Sequence, residues 1–133
     1  MTTASSLHRR LASLTPGVHA WDGPELPGTI AAALNALGRR SVLVAAPSTK
    51  AGVIDALAAA YRFPAGTGRN WDALTDLLAD HAGDSVLVID VAALVAHAPH
   101  EWEVLHSILV DTSAWFAGSR TPFCAIVLGA ALG

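Results

Sequence analysis

Asp72, Asp76 and Asp80 recur at every fourth position in the stretch GRNWDALTDLLAD, residues 68–80. On a helix, that spacing puts the carboxylates on one stripe, with neighbours about 6 Å apart. Carboxylates so placed can exchange protons or hold a metal together with histidines. They can also accept hydrogen bonds from the arginines and lysines of a cationic surface, as phosphates do. The first chemistry has candidates, because His81, His97, His100 and His106 could pair with Asp72 or Asp76 in a hydrolase. Yet His97-x-x-His100 flanks Pro99 in what reads as a loop, with no third ligand at a recognised spacing. His106 follows apolar Leu105 and reads as a helix-face residue. GTG, 66–68, follows no strand and leads to no lysine in phosphate-loop register, so it reads as a turn. No catalytic residue, metal or cofactor is implied, and the second chemistry is the stronger reading.

The surrounding helix positions sharpen it. With Asn70 as N-cap and Trp71 at zero on a helical wheel, Asp72, Asp76 and Asp80 fall near 100°, 140° and 180°; Leu74, Leu77 and Leu78 fall between about 240° and 340°. Acids and core therefore take opposite faces. Asp72 gains from the positive end of the helix, but Asp76 is mid-helix, and like charges at this spacing repel by about 0.2–0.5 kcal/mol per pair. Local stability does not explain the stripe, although a plain solvated face remains the bland alternative. Charge distribution along the chain adds weight. Asp72, Asp76, Asp80, Asp84, Asp90, Glu101, Glu103 and Asp111 lie in the window 70–119, which holds no Lys or Arg. That part of the chain should project a negative field unless the fold brings Arg62, Arg69 or Arg120 alongside. Direct binding to nucleic acid is disfavoured, and a cationic protein surface is favoured.

Three short apolar runs frame this helix: SVLVAA (41–46), SVLVID (85–90) and FCAIVL (123–128). Each is too short for a helix and has no polar face, which predicts strands buried on both faces and paired in parallel through helical crossovers. Thr49 or Ser48 caps KAGVIDALAAAY, and Phe63-Pro64 ends it. Pro99, Glu101 and Glu103 open a long helix whose apolar positions run through Trp102, Leu105, Ile108, Leu109, Thr112, Trp115 and Phe116. Upstream, SSLHRRLASL reads as a short helix, VHAW as a short edge strand, and IAAALNAL as a helix capped by Thr29 and closed at Gly38. Trp71, Trp102 and Trp115 sit at core spacings and should pack, with Trp71, in the first turn, the one expected to be partly exposed. Cys124 reads as a buried strand residue.

FPAGTGRNWDALTDLL, 63–78, resembles the barstar family of intracellular ribonuclease inhibitors. The shared elements are an apolar residue before Pro64, then Gly68, Asn70-x-Asp72-Ala73-Leu74 and Asp76-x-Leu78. The order of strands and helices from Ser41 to Leu128 also agrees, and PGVHAWDGP (16–24) is similar to longer bacterial members. The resemblance implies an α/β fold: a small three-stranded parallel sheet covered by helices, with room for an extra N-terminal edge strand and helix. It implies a single domain over 1–133, with 1–40 an extension packed on a 41–128 core. It also implies that the Asn70 helix and the loop before it enter the basic cleft of a barnase-type ribonuclease. Carried over by position, Asp76 is the main anchor and Asp72 its companion. Asn70, Trp71 and Gly68 shape the contact, and Asp111 is an auxiliary acid late in the long helix. Gly66 and Thr75 stand where the family often has large residues, so these positions bear on which partner fits. A barstar-like adaptor or immunity protein for a different toxin is the alternative.

At 133 residues, 53% hydrophobic and 14% charged, the chain can bury a real core in one domain. One cysteine excludes an internal disulfide and favours a reducing compartment. The N-terminus lacks an apolar segment of signal-peptide length, and no run reaches the roughly 18 apolar residues of a membrane span. A cytoplasmic protein, monomeric when free, is expected.

Overall fold

VLVID and CAIVL have no polar face and become the central strands of a sheet covered on both sides. The computed structural model describes residues 3–131. Its strands are β1 (Gly17–Ala20), β2 (Ser41–Ala45), β3 (Val86–Asp90) and β4 (Cys124–Leu128), ordered β1-β4-β3-β2 with every neighbouring pair parallel. The helices are α1 (Thr3–Ala12), α2 (Pro27–Ala36), α3 (Lys50–Tyr61), α4 (Trp71–His81), α5 (Ala92–His97) and α6 (Pro99–Phe116). Parallel neighbours need crossovers, and the helices supply them.

The two sheet faces carry separate cores. Leu7 and Leu11 of α1 and Ile30, Ala33 and Leu34 of α2 close over Val86, Val88, Cys124 and Ile126. On the other face, α3, α4 and α6 press Val53, Leu57, Leu74, Leu78, Leu105 and Leu109 onto Val42, Val44, Leu87, Ile89, Ala125 and Val127. The alternation of strand side chains sorts these sets. α1 and α2 thus supply the cover of one face, and the helix bearing the aspartate stripe belongs to the other.

The sheet has a fourth strand beyond the three of the core, since the edge strand expected at VHAW is present and Gly17–Ala20 pairs with β4 from Gly17↔Cys124 to Ala20↔Val127. Several expectations are corrected. β2 is not buried on both faces: it is an edge strand, and its alternating burial leaves Leu43 49% exposed. α2 meets it through Ser41, whose Oγ donates to Ala31 O at 3.2 Å, and does not cover Leu43. Thr29 does not cap α2, because the helix already begins at Pro27 after Leu26; proline's fixed φ suits that first position. An unforeseen helix, α5, follows β3 directly and starts where the Asp90 carboxylate accepts from Ala92 N at 3.0 Å. His97 and His100 therefore sit at the end of α5 and the start of α6, not in a loop. Among the described residues, no helix is long and apolar enough to cross a membrane.

Candidate partner-binding surface

The N-terminal end of α4 is fixed by its cap. Asn70 is extended (φ −138°, ψ 165°), and its Oδ1 accepts from Ala73 N at 2.7 Å. Leu74 and Leu78, both fully buried, pin the inner face to the core. The outer face then presents Asp72, Asp76 and Asp80, all exposed. None of the three makes an ion pair among the described residues. Asp72 lies in the first turn, where the unpaired N–H groups favour a carboxylate.

The preceding loop is built to deliver this cap. Arg62, at φ 56°, ends α3 in the left-handed region, and Thr67 Oγ1 donates to Pro64 O at 2.6 Å. Gly66 is exposed at φ 85°, so the turn itself calls for glycine, and a side chain there would be strained. Gly68 sits close to the cap: a Cβ would lie 3.2 Å from Asn70 Nδ2, so that amide would have to give slightly, and 3.5 Å from Ala73 Cβ. Arg69, the cation nearest the stripe in sequence, is held at 2.8 Å by Asp55 of α3. Both are exposed, so the pair is worth little stability, but it engages the Arg69 charge away from Asp72. Between α3, this loop and Leu74 and Leu77 lies an open depression of about 270 Å³.

Trp71 ties three helices together. Its Nε1 donates to Glu101 Oε2 of α6 at 3.1 Å, and Lys50 Nζ of α3 lies 5.7 Å from its ring centroid. It is half-buried, as expected of a first-turn tryptophan. Thr75 Oγ1 donates to Trp71 O at 2.9 Å, so the hydroxyl turns back onto its own helix. An open groove of about 360 Å³ separates α4 from α6, lined by Trp71, Asp72, Thr75, His100, Glu103, Val104, Ser107 and Ile108. Asp111 is exposed on α6, one turn beyond Ser107.

The histidines do not assemble around the aspartates. His81 packs on Phe63, with centroids 5.2 Å apart, and His106 stacks on Trp102 at 5.3 Å. His100 Nδ1 approaches Glu103 at 3.8 Å. Among the described residues, no group of three or more His, Cys, Asp or Glu could hold a metal. Cys124 is buried beneath α1 and α2, and burial pushes its thiol above the ordinary range. Tyr61, also buried, is pushed up to about 12 by desolvation, against the pull of the Ser85 hydrogen bond and Arg40.

Sequence reading missed the Trp71–Glu101 and Asp55–Arg69 links, which join residues 30 and 14 apart and leave no local signal. It misjudged Trp115. That residue holds a core spacing, yet it is 70% exposed near the end of α6.

The described residues form a small α/β protein with exposed carboxylates spaced along two neighbouring helices on one side of a parallel sheet. Residues 40–127 match the family model described as Barstar (barnase inhibitor), and the chain belongs to that family. No curated protein and no solved structure matches it.

Proposed function

We propose that this chain inhibits a ribonuclease of the barnase type by occupying its basic active-site cleft. α4 and the loop before it enter the cleft, with Asp76 and Asp72 standing where RNA phosphates would lie. The observation that carries this reading is that both carboxylates are exposed and without ion pairs among the described residues, on a helix whose other face is buried at Leu74 and Leu78. A ribonuclease cleft must hold phosphate with Arg, Lys or His. A rigid pair of carboxylates about 6 Å apart can take those hydrogen bonds at little ordering cost. Asn70 and Gly68 set the pose of the helix, and Trp71 braces it. Asp111 is an auxiliary contact. The chain acts in the cytoplasm as a monomer when free, uses no metal or cofactor, and catalyses nothing. α1 and α2 act as scaffold on the far face of the sheet.

A second reading, a partner other than the barnase type, is favoured by the loop and the groove. Gly66 offers no side chain, and Thr75 leaves the α4–α6 groove open. Both features suit a target whose own side chains fill that space. The test is to titrate the chain into a microbial barnase-type ribonuclease while following RNA cleavage. Inhibition at or below micromolar concentration is expected; none at micromolar concentration would remove that target and leave the second reading.

A further inference from the structure

Each of the other tryptophans in the chain has its ring engaged. Arg10 lies 4.0 Å from the Trp21 centroid, Lys50 lies 5.7 Å from that of Trp71, and His106 stacks on Trp102. Trp115, 70% exposed, has no ring contact or hydrogen bond among the described residues. A large indole left in water forgoes substantial burial, and such residues are enriched at the centres of protein interfaces.

Its position on α6 is specific. At about 100° per residue, Trp115 falls about 20° from each of Val104 and Ile108, which line the groove facing α4. The two helices run in the same direction. Trp71 meets Glu101 near their starts, and at their ends a Cβ on Gly83 would lie 2.8 Å from Phe116 Cε1. Trp115 therefore stands past the far end of the valley that begins at Trp71 and Thr75, level with Gly83, just beyond the last turn of α4. Asp111, one turn earlier and about 20° from Val104 in phase, is the i−4 neighbour of Trp115, a spacing that puts their Cβ atoms about 6 Å apart. An open aromatic face beside a carboxylate matches the arginine side chain. Its planar guanidinium can lie on the ring while donating to the acid, which the compact lysine ammonium does less well.

We propose that Trp115 and Asp111 form a second anchor of the partner interface, receiving an arginine from the cationic partner at the C-terminal end of the α4–α6 valley. This rests on the reading of α4 as the ribonuclease-facing helix. The partner surface then spans both helices, with carboxylates on α4 at one end and an arginine clamp on α6 at the other.

The full chain and its Trp115→Ala, Trp115→Phe, Asp76→Ala and Leu26→Ala variants are assayed as inhibitors of a barnase-type ribonuclease, with tryptophan emission followed on binding. Trp115→Ala should weaken inhibition about 10- to 100-fold, as for an interface hot spot. Trp115→Phe should lose less, and Leu26→Ala, which alters a comparably exposed side chain (71%) just before α2, should match the wild type. Emission of the wild type should shift to the blue on binding, and that shift should vanish in Trp115→Ala. If Asp76→Ala weakens inhibition while Trp115→Ala keeps both wild-type inhibition and the shift, the second anchor is overturned and the α4 reading stands. If the wild type does not inhibit, both fall together.

Discussion

Removing the Asn70 cap tests whether the aspartate stripe depends on local helix architecture. The Asn70 Oδ1–Ala73 N bond of 2.7 Å is the side-chain cap of α4, and the α4 backbone leans on it before Leu74 reaches the core. Asn70→Ala deletes the acceptor and returns the N–H to water, a loss of about 1 kcal/mol (range about 0.5–2). For a chain of this size that corresponds to a fall in Tm of about 3–5 °C. Asn70→Asp keeps an acceptor and adds a charge favoured at this helix end, so it should hold stability near the wild type. Urea unfolding of the three proteins gives the comparison: Cm should drop for Asn70→Ala at unchanged m, and should stay close to the wild type for Asn70→Asp. Binding should follow. One kcal/mol spent re-forming the first turn weakens apparent affinity by up to about 5-fold, because only the ordered helix presents Asp72 correctly. An Asn70→Ala protein as stable as the wild type, binding as tightly, would refute the cap's role in presenting the stripe.

Three further outcomes follow from the cores and charges. Leu78→Ala empties a fully buried site between α4 and the sheet and should cost about 2–5 kcal/mol in denaturant unfolding; a loss under about 1 kcal/mol would mean that α4 is not anchored as described. Tyr61→Phe removes the buried 2.9 Å contact to Ser85 Oγ but leaves Ser85 donating to Ala82 O, so near neutral pH it should cost only about 1 kcal/mol. Because the Tyr61 hydroxyl titrates higher folded than unfolded, the neutral form stabilises the fold below pH about 10. That contribution disappears as pH rises through about 12, so wild-type stability should fall over that range more steeply than Tyr61→Phe stability. Association with a cationic ribonuclease should slow as salt rises, since exposed charges are screened beyond about 10 Å at 0.1 M, and a salt-independent association rate would exclude steering by the carboxylates.

The parts of the fold that follow from short-range patterning were legible in the sequence. The apolar runs became β2, β3 and β4, and Thr49, Asn70 and Gly38 took the capping positions their types suggest. The opposed faces of α4 appeared because a period of 3.6 sorts Leu74 and Leu78 from Asp72 and Asp76 within eleven residues. What escaped depends on neighbours distant in the chain. The run SVLVAA looks central, yet its place at the sheet edge is decided by which strand pairs outside it. Trp115 keeps the core period, but by that turn α4 has ended, and among the described residues the indole is left 70% exposed. Pro27 did carry a readable signal for the start of α2, which the nearby Thr29 obscured. For the candidate site, the motif identified the helix and its loop; the brace from Trp71 to Glu101 and the groove beside Thr75 became visible only in three dimensions.

The central claim is that specific carboxylates of α4, rather than diffuse negative charge, replace RNA phosphates. Asp76 and Asp80 carry the same charge, are both exposed and sit one turn apart, so the pair forms its own control. The measurement is the inhibition constant of Asp76→Ala and Asp80→Ala against one barnase-type ribonuclease at one salt concentration. A carboxylate with charged hydrogen bonds in the complex contributes about 1.5–3 kcal/mol, so Asp76→Ala should lose on the order of 10- to 150-fold, with Asp80→Ala within about 3-fold of the wild type. Equal losses at both positions would contradict phosphate mimicry at Asp76 and leave only a general electrostatic attraction.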